Sequence, residues 1–214
     1  MRLYSAVLAA LIAPALASAA PAAADPLIVR TAAGSVLGAF ENVTAGAGTT
    51  RSSRARSFKG IPFGKVERWQ PPLPAEPWQQ IRPALAFGAT CETAEQCLFA
   101  NVNTPWPLRP DVPGKGLAVM LFIHGGCNKG GAGSKFRTEE LVAAAQDVIV
   151  VTINYRLGIF GWLGGKEVAG HTKDGSSGNF GTQDQRAGMQ WVQDNIAAFG
   201  DSKPMRACCF VAAG

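Results

Sequence analysis

Several features that would place the chain in a large class of proteins are missing from its sequence. It has no C-x-x-C pair and only 2 histidines, which argues against a structural zinc site. It contains no G-x-x-x-x-G-K-[ST] motif, so a phosphate-binding P-loop is not expected. No stretch beyond residue 16 reaches the ~20 apolar residues that a membrane span requires. The sequence accordingly predicts no metal, no cofactor and no membrane span.

The first residues have the pattern of a targeting segment. Arg2 is followed by an apolar stretch over residues 3–16, and Ala17-Ser18-Ala19 then supplies an A-x-A cleavage pattern. We expect residues 1–19 to form a cleavable signal peptide and residues 20–214 to form a secreted, extracellular domain. Cleavage nearer Ala24 is the alternative.

The 5 cysteines must then be placed in an oxidising compartment. Cys91 and Cys97 flank a polar stretch, where they can close a small disulfide loop or remain two buried thiols beside a strand. The other three, an odd number, are Cys127, Cys208 and Cys209.

Two further features concern the surface. Asn42-Val43-Thr44 is the only N-x-[ST] sequon, and it predicts a glycosylated surface position at Asn42. The net charge of +5 comes partly from basic residues between positions 51 and 59. These residues alternate with serine and alanine near a strand, which favours a solvated face over a nucleic-acid site.

The hydrophobic pattern predicts strands alternating with helices. Residues 27–30 and 36–40 predict a hairpin that turns at Gly34, and residues 55–60 predict a third strand. Further strands are predicted at 97–103, 117–123 and 148–154, and helices at 138–146 with Thr138 as N-cap and at 182–199 with Gly200 as C-cap. This order indicates an α/β fold with a largely parallel sheet and flanking helices.

One stretch, residues 117–133, holds the clearest indication of function. Seven apolar residues, typical of a buried strand, end at His124-Gly125-Gly126. Glycines at the carboxyl end of such a strand leave backbone N–H groups uncovered, where they can bind the oxyanion of an acyl-transfer intermediate. The alternative is a Gly-rich turn after a core strand.

Several blocks of sequence, taken together and in order, resemble type-B carboxylesterases, the cholinesterase-like branch of the α/β-hydrolases. They lie between residues 36 and 200, with Gln96 in place of the family's aspartate. The blocks are Phe58-Lys59-Gly60-Ile61-Pro62-Phe63, Glu95-Gln96-Cys97-Leu98-Phe99, Ile123-His124-Gly125-Gly126, Asn154-Tyr155-Arg156-Leu157-Gly158 and Gly178-Asn179-Phe180-Gly181.

The resemblance implies the amino-terminal part of an α/β-hydrolase, in which antiparallel strands lead into a mostly parallel sheet with flanking helices. It also implies hydrolysis of small-molecule carboxylic esters by a serine nucleophile. The oxyanion hole would comprise Gly125, Gly126 and Cys127, where Cys127 replaces a glycine. Because of its Cβ, Cys127 is a poor match for a backbone geometry that glycine adopts.

The last residues depart from the family's pattern. The family continues into a strand and a G-x-S-x-G turn, and this motif is absent here. The serine position corresponds to Ala212, or to Val211 with a gap of one residue, and the family's acid and histidine lie downstream. Neither His124 nor His171 is assigned as the base. We therefore expect no catalytic residue and no ester turnover in these 214 residues.

Three interpretations of this departure stay open. The chain is an ester hydrolase whose sequence is cut short, for instance by a shifted reading frame or a mis-called exon after residue 199. Alternatively, it is a non-catalytic esterase-like domain used for adhesion or binding. The third is a fragment that does not fold stably alone.

The segment between Cys91 and Cys97 also departs from the family's pattern, because the family's disulfide loop is much longer.

Overall fold

The computed structural model describes residues 25–44, 52–108 and 116–200, and the backbone of one further strand at 207–211. The predicted signal peptide, residues 1–19, lies outside these ranges, as does the candidate serine position Ala212.

Strands and helices follow one another in the described residues much as the pattern predicts. The strands are β1 Ile28–Arg30, β2 Ser35–Leu37, β3 Ala39–Thr44, β4 Ser52–Pro62, β5 Gly64–Lys65, β6 Leu73–Pro74, β7 Arg82–Pro83, β8 Phe99–Trp106, β9 Ala118–Ile123, β10 Val148–Ile153 and β11 Ala207–Val211. The helices are α1 Thr138–Ala145, α2 Gly158–Trp162, α3 Lys166–His171, α4 Phe180–Asn195 and α5 Ala197–Gly200, with a 3-10 turn at Gly133–Lys135.

The main sheet has six strands in the order β11-β9-β10-β8-β4-β3. Strands β11, β9 and β10 are parallel to one another, whereas β8, β4 and β3 are added in antiparallel pairs. The parallel sheet expected from the sequence is thus confined to these three strands, and the antiparallel part matches the amino-terminal strands that the resemblance implies. The predicted hairpin is present as β1 and β2, which pair around Gly34.

The larger core lies on one side of the sheet, between the strands and α4. Strand β10 is buried from Ile149 to Ile153, as expected of a central strand. On α4, Gly188 lets the helix approach the sheet closely, because a Cβ there would lie 2.6 Å from the Cδ1 of Ile153. Val192, Ile196 and Phe199 are buried in this cluster, as their helical spacing predicts.

Helix α1 covers the other side of the sheet, where Val142 packs against Met120 and Val150. The predicted N-cap at Thr138 is wrong. The N-cap residue is Arg137, and no side chain caps the helix. Instead the Thr138 hydroxyl accepts a 2.7 Å hydrogen bond from the side-chain amide of Asn103 on β8, so a tertiary contact has taken the group that would have capped the helix.

The predicted helix at 182–199 is two helices. Helix α4 ends at Asn195, whose side-chain amide donates to the Trp191 carbonyl and whose side-chain oxygen accepts from the Ala32 backbone N–H. Asparagine side chains that bond to nearby backbone groups compete with helix continuation. Gly200 consequently lies inside the short α5 and is not a C-cap.

Candidate functional site

The glycine-rich stretch lies at the carboxyl edge of the parallel strands. Ile123 ends β9, with Ile153 of β10 in register on one side and Val211 of β11 on the other. Because the carboxyl ends of parallel strands meet at one edge, residues after all three strands converge there. Val211, one of the two candidates for the serine position, is therefore placed beside the last residue of β9.

The chain reverses tightly after β9. The Gly126 carbonyl accepts hydrogen bonds from the N–H groups of Lys129 at 2.9 Å and Gly130 at 3.2 Å. Gly126 has φ +121°, and a Cβ there would lie 2.1 Å from the Gly130 carbonyl oxygen, so no other residue fits. Cys127 follows with φ +52°, in the left-handed region that favours glycine. This agrees with the expectation that cysteine is a poor match for that position.

The turn contains the backbone N–H groups of Gly125 and Gly126, two of the three residues predicted to form an oxyanion hole. Neither Gly125 nor Gly126 donates its N–H to any of the described residues. Gly126 is exposed and Gly125 is half-buried. Uncommitted N–H groups in a fixed turn can stabilise an oxygen that becomes negatively charged, and they do so without reorganisation at the moment of reaction.

His124, the first residue of the turn, packs its buried side chain against Tyr155 and the backbone of the turn. The side chain is 1% exposed and stacks on Tyr155, with ring centroids 4.5 Å apart. The Tyr155 hydroxyl donates to the His124 carbonyl at 2.9 Å, and the His124 Nδ1 lies 3.0 Å from the Gly125 carbonyl oxygen. Since a carbonyl oxygen only accepts, Nδ1 carries the proton in that contact.

His124 has a structural role and an uncharged imidazole. Burial lowers its pKa below the ordinary value, which keeps the imidazole uncharged at neutral pH. Its Nε2 is buried and contacts no hydrogen-bond partner among the described residues. His171, the other histidine, is exposed at the end of α3. The described residues therefore bring no histidine into a charge-relay pair.

Residues that follow β10 also form hydrogen bonds to the turn. The Gly158 N–H at the start of α2 donates to the Asn128 carbonyl at 2.7 Å. The Asn154 side chain accepts from the Gly133 N–H at 2.9 Å and donates to the Ala89 carbonyl at 3.1 Å. Residues 154–158, one of the sequence blocks that carry the resemblance, thus directly contact residues 124–133, which we call the glycine loop.

The remaining predicted positions are spread over the molecule. Cys91 and Cys97 form a disulfide, with Cα atoms 5.0 Å apart. Asn42 is exposed on β3, an edge strand of the main sheet. Cys127 is exposed, and Cys208 and Cys209 lie on β11 opposite Met120 and Leu121 of β9.

The described part of the chain shows neither a membrane-spanning helix nor a cluster of metal-binding side chains. None of its helices has the length and apolarity to cross a bilayer. No group of three or more histidine, cysteine, aspartate or glutamate side chains in that part is placed to hold a metal ion.

Sequence reasoning missed Glu92, Asn154 and Tyr155 as residues that support the glycine loop. Asn154 and Tyr155 stand in a block that carries the resemblance, and this was the available signal. Glu92 had no comparable signal, because its contact with Gly131 joins positions 39 residues apart.

Comparison with known proteins gives consistent results. The profile of the Carboxylesterase family matches residues 25–204. Para-nitrobenzyl esterase of Bacillus subtilis (strain 168) is 39% identical over 72% of this chain and 33% of its own length. Carboxylesterase 1F of Mus musculus is 36% identical over 82% of this chain and 34% of its own. A solved structure of PNB esterase superposes with a TM-score of 0.69 at 36% identity, covering 87% of this chain and 38% of that one. The chain thus spans about a third of the length of the relatives it matches.

Proposed function

This chain belongs to the carboxylesterase family, and we propose that it forms the oxyanion-binding segment of a carboxylic ester hydrolase. The observation that supports the proposal is the pair of N–H groups at Gly125 and Gly126, at the carboxyl end of β9, which donate to none of the residues that the structure describes. The names of several relatives describe esterases, in agreement with this chemistry.

In this proposal the two N–H groups receive the negative charge that develops on the ester carbonyl oxygen. A hydroxyl attacks the carbonyl carbon, its proton goes to a base, and the electron pair of the C=O bond moves onto the oxygen held by the glycines. Removing one such donor costs a working enzyme about 3 kcal/mol of transition-state stabilisation. The substrate class is a small-molecule carboxylic ester, with water as the second substrate and no cofactor.

The 214 residues do not provide the attacking hydroxyl in this proposal. The family places its serine just after the strand that corresponds to β11, where this sequence has Val211 and Ala212. We therefore expect the 214-residue polypeptide to turn over no ester.

We also propose that the protein is secreted, with residues 1–19 as its signal peptide. The Cys91–Cys97 disulfide supports this, because disulfides persist in oxidising compartments outside the cytosol. The exposed Asn42 is the proposed glycosylation site.

A fusion tests the proposed hydrolase. Residues 25–200 replace the matching amino-terminal third of para-nitrobenzyl esterase, because the family's pattern places the serine, acid and histidine after that part. We expect the fusion to hydrolyse p-nitrophenyl acetate, and the 214-residue chain not to do so. The control is the same fusion with its G-x-S-x-G serine changed to alanine.

Two results would contradict the proposal. A fusion that is folded by circular dichroism but gives no turnover would favour the non-catalytic, binding interpretation. Turnover by the 214-residue chain, abolished by changing one of its own side chains, would show that it carries a nucleophile after all.

A further inference from the structure

The segment closed by the Cys91–Cys97 disulfide contacts the glycine loop through one carboxylate. Glu92 Oε1 accepts a 2.6 Å hydrogen bond from the Gly131 backbone N–H and lies 3.1 Å from the Lys135 ammonium. Hydrogen bonds to an ionised carboxylate are among the stronger ones in proteins. The disulfide closes a ring with five residues between its cysteines, which limits how far Glu92 can move.

Gly131 lies directly against the peptide that carries the proposed donors. It has φ +114°, and a Cβ on it would lie 2.4 Å from the His124 Nδ1 and 2.5 Å from the Gly125 carbonyl oxygen. The Gly131 backbone therefore lies close enough to the His124 ring and the Gly125 carbonyl to leave no space for a methyl group between them. A shift of Gly131 towards them would displace His124 or Gly125, because close-packed groups cannot interpenetrate.

We propose that Glu92 is a positioning residue for the oxyanion donors: by holding the Gly131 N–H, it fixes the backbone of Gly125 and Gly126. This inference rests on the proposed function, since it concerns the same two N–H groups. The disulfide contributes by fixing Glu92, so that opening the ring loosens the donors as well.

Glu95 lies in the same disulfide-closed segment as Glu92 but does not bind the Gly131 N–H. Glu95 pairs with Arg68 at 2.6 Å and makes no hydrogen bond to the glycine loop. Both carboxylates are on the surface and each pairs with one cation, so they differ chiefly in the backbone bond to Gly131. This makes Glu95 a matched control.

The first experiment measures backbone amides in the 214-residue chain itself, labelled with 15N. In the Glu92→Ala variant we expect the Gly131 amide to exchange with solvent about tenfold faster, as for loss of one charge-assisted hydrogen bond. We also expect altered chemical shifts at Gly125 and Gly126. Glu95→Ala should leave all three amides unchanged, and the amides of β10 report whether the fold is intact.

The pH dependence separates a positioning role from a general loss of stability. Hydrogen bonding from Gly131 and from Lys135 lowers the Glu92 pKa, and His124 is the other charged or titratable group nearby. As pH falls through that pKa, the Gly125 and Gly131 amide shifts should move together in the native chain. In Glu92→Gln, which keeps an acceptor oxygen but does not titrate, the change at the Glu92 pKa should be absent, and only the change that accompanies His124 protonation should remain. Lys135→Met should raise the midpoint and keep the transition.

Reducing the disulfide should move the same amides in the same direction. The inference is overturned if Glu92→Ala changes residues 124–131 no more than Glu95→Ala does, or if Gly131 moves with pH while Gly125 and Gly126 do not. If Glu92→Ala does not fold, the comparison of the native chain with Glu92→Gln over pH decides.

The esterase fusion gives a second and independent readout. There we expect Glu92→Ala to lower kcat about tenfold with little change in KM, since the donors act on the transition state. Amide effects without any turnover by the native fusion would leave the positioning role in place and contradict the proposed hydrolase. Turnover that Glu92→Ala does not change would contradict the positioning role alone.

Discussion

Asp184 binds Arg156 through two parallel hydrogen bonds, each of 2.8 Å, between α4 and the segment that follows β10. The same carboxylate also accepts the Arg156 backbone N–H at 3.0 Å. The Arg156 side chain is 2% exposed and the Asp184 side chain 0%. This pair anchors the segment whose Gly158 contacts Asn128, and it links the longest helix to the glycine loop.

Breaking this pair should be costly. We expect Asp184→Asn to lower the free energy of unfolding by about 3–5 kcal/mol, because it leaves the Arg156 guanidinium buried without a counter-charge. Urea unfolding followed by circular dichroism measures the change. Glu76→Gln, which removes the partner of Lys65 in an exposed ion pair, is the control and should have no measurable effect. Equal effects from the two variants would contradict this prediction.

The turn at Gly126 should tolerate no side chain. Gly126→Ala combines a positive φ with a close approach to the Gly130 carbonyl, and we expect it to destabilise the fold by at least about 2 kcal/mol. Gly170→Ala is the matched control, since Gly170 lies in α3 with nothing within 4 Å of an added Cβ. That change should stabilise the chain by up to about 1 kcal/mol. Thermal unfolding compares the two, and similar midpoints would refute the account of the turn.

Stability should depend on pH through His124. Its folded pKa lies below the ordinary 6.5 that the unfolded chain retains, so between these values the unfolded state binds more protons. The contribution of His124 to the free energy of unfolding is therefore fully present above about pH 6.5 and is lost as the pH falls from that value through the folded pKa. Urea unfolding at pH 7.5 and pH 5.5 measures the loss.

Variants of the two histidines identify the source of that loss. His124→Gln should reduce the difference between the two pH values, whereas His171→Gln should leave it, because His171 is exposed. A pH dependence that persists in His124→Gln would assign the loss to other groups.

Asn42 should carry a glycan when the protein passes through a eukaryotic secretory pathway. The side chain is exposed on an edge strand, where an oligosaccharide has room. We expect the secreted chain to gain electrophoretic mobility after treatment with peptide:N-glycosidase. Asn42→Gln should migrate with the treated form. Identical mobility of the untreated and treated native chain would remove Asn42 from the proposed sites.

The sequence by itself determined the positions of the main strands and of the turn after β9, because short-range patterns of residues encode these features. Uninterrupted apolar runs predicted β9 and β10 almost to the residue. The two consecutive glycines after β9 predicted a turn with exposed backbone N–H groups, since the conformation of a turn depends on residues adjacent in the chain. The ordered blocks of sequence identified the family for the same reason, and the family profile confirmed it.

Tertiary structure alone decided which side chains support that turn. The bond from Gly131 to Glu92 spans 39 positions, and the Arg156–Asp184 pair spans 28, so no local pattern encodes either. The same contacts overrode local expectations where Thr138 bonds to Asn103 in place of capping α1 and where Asn195 ends α4. A polar group goes to whichever partner the packed fold brings within reach, and the sequence lists the groups without their distances.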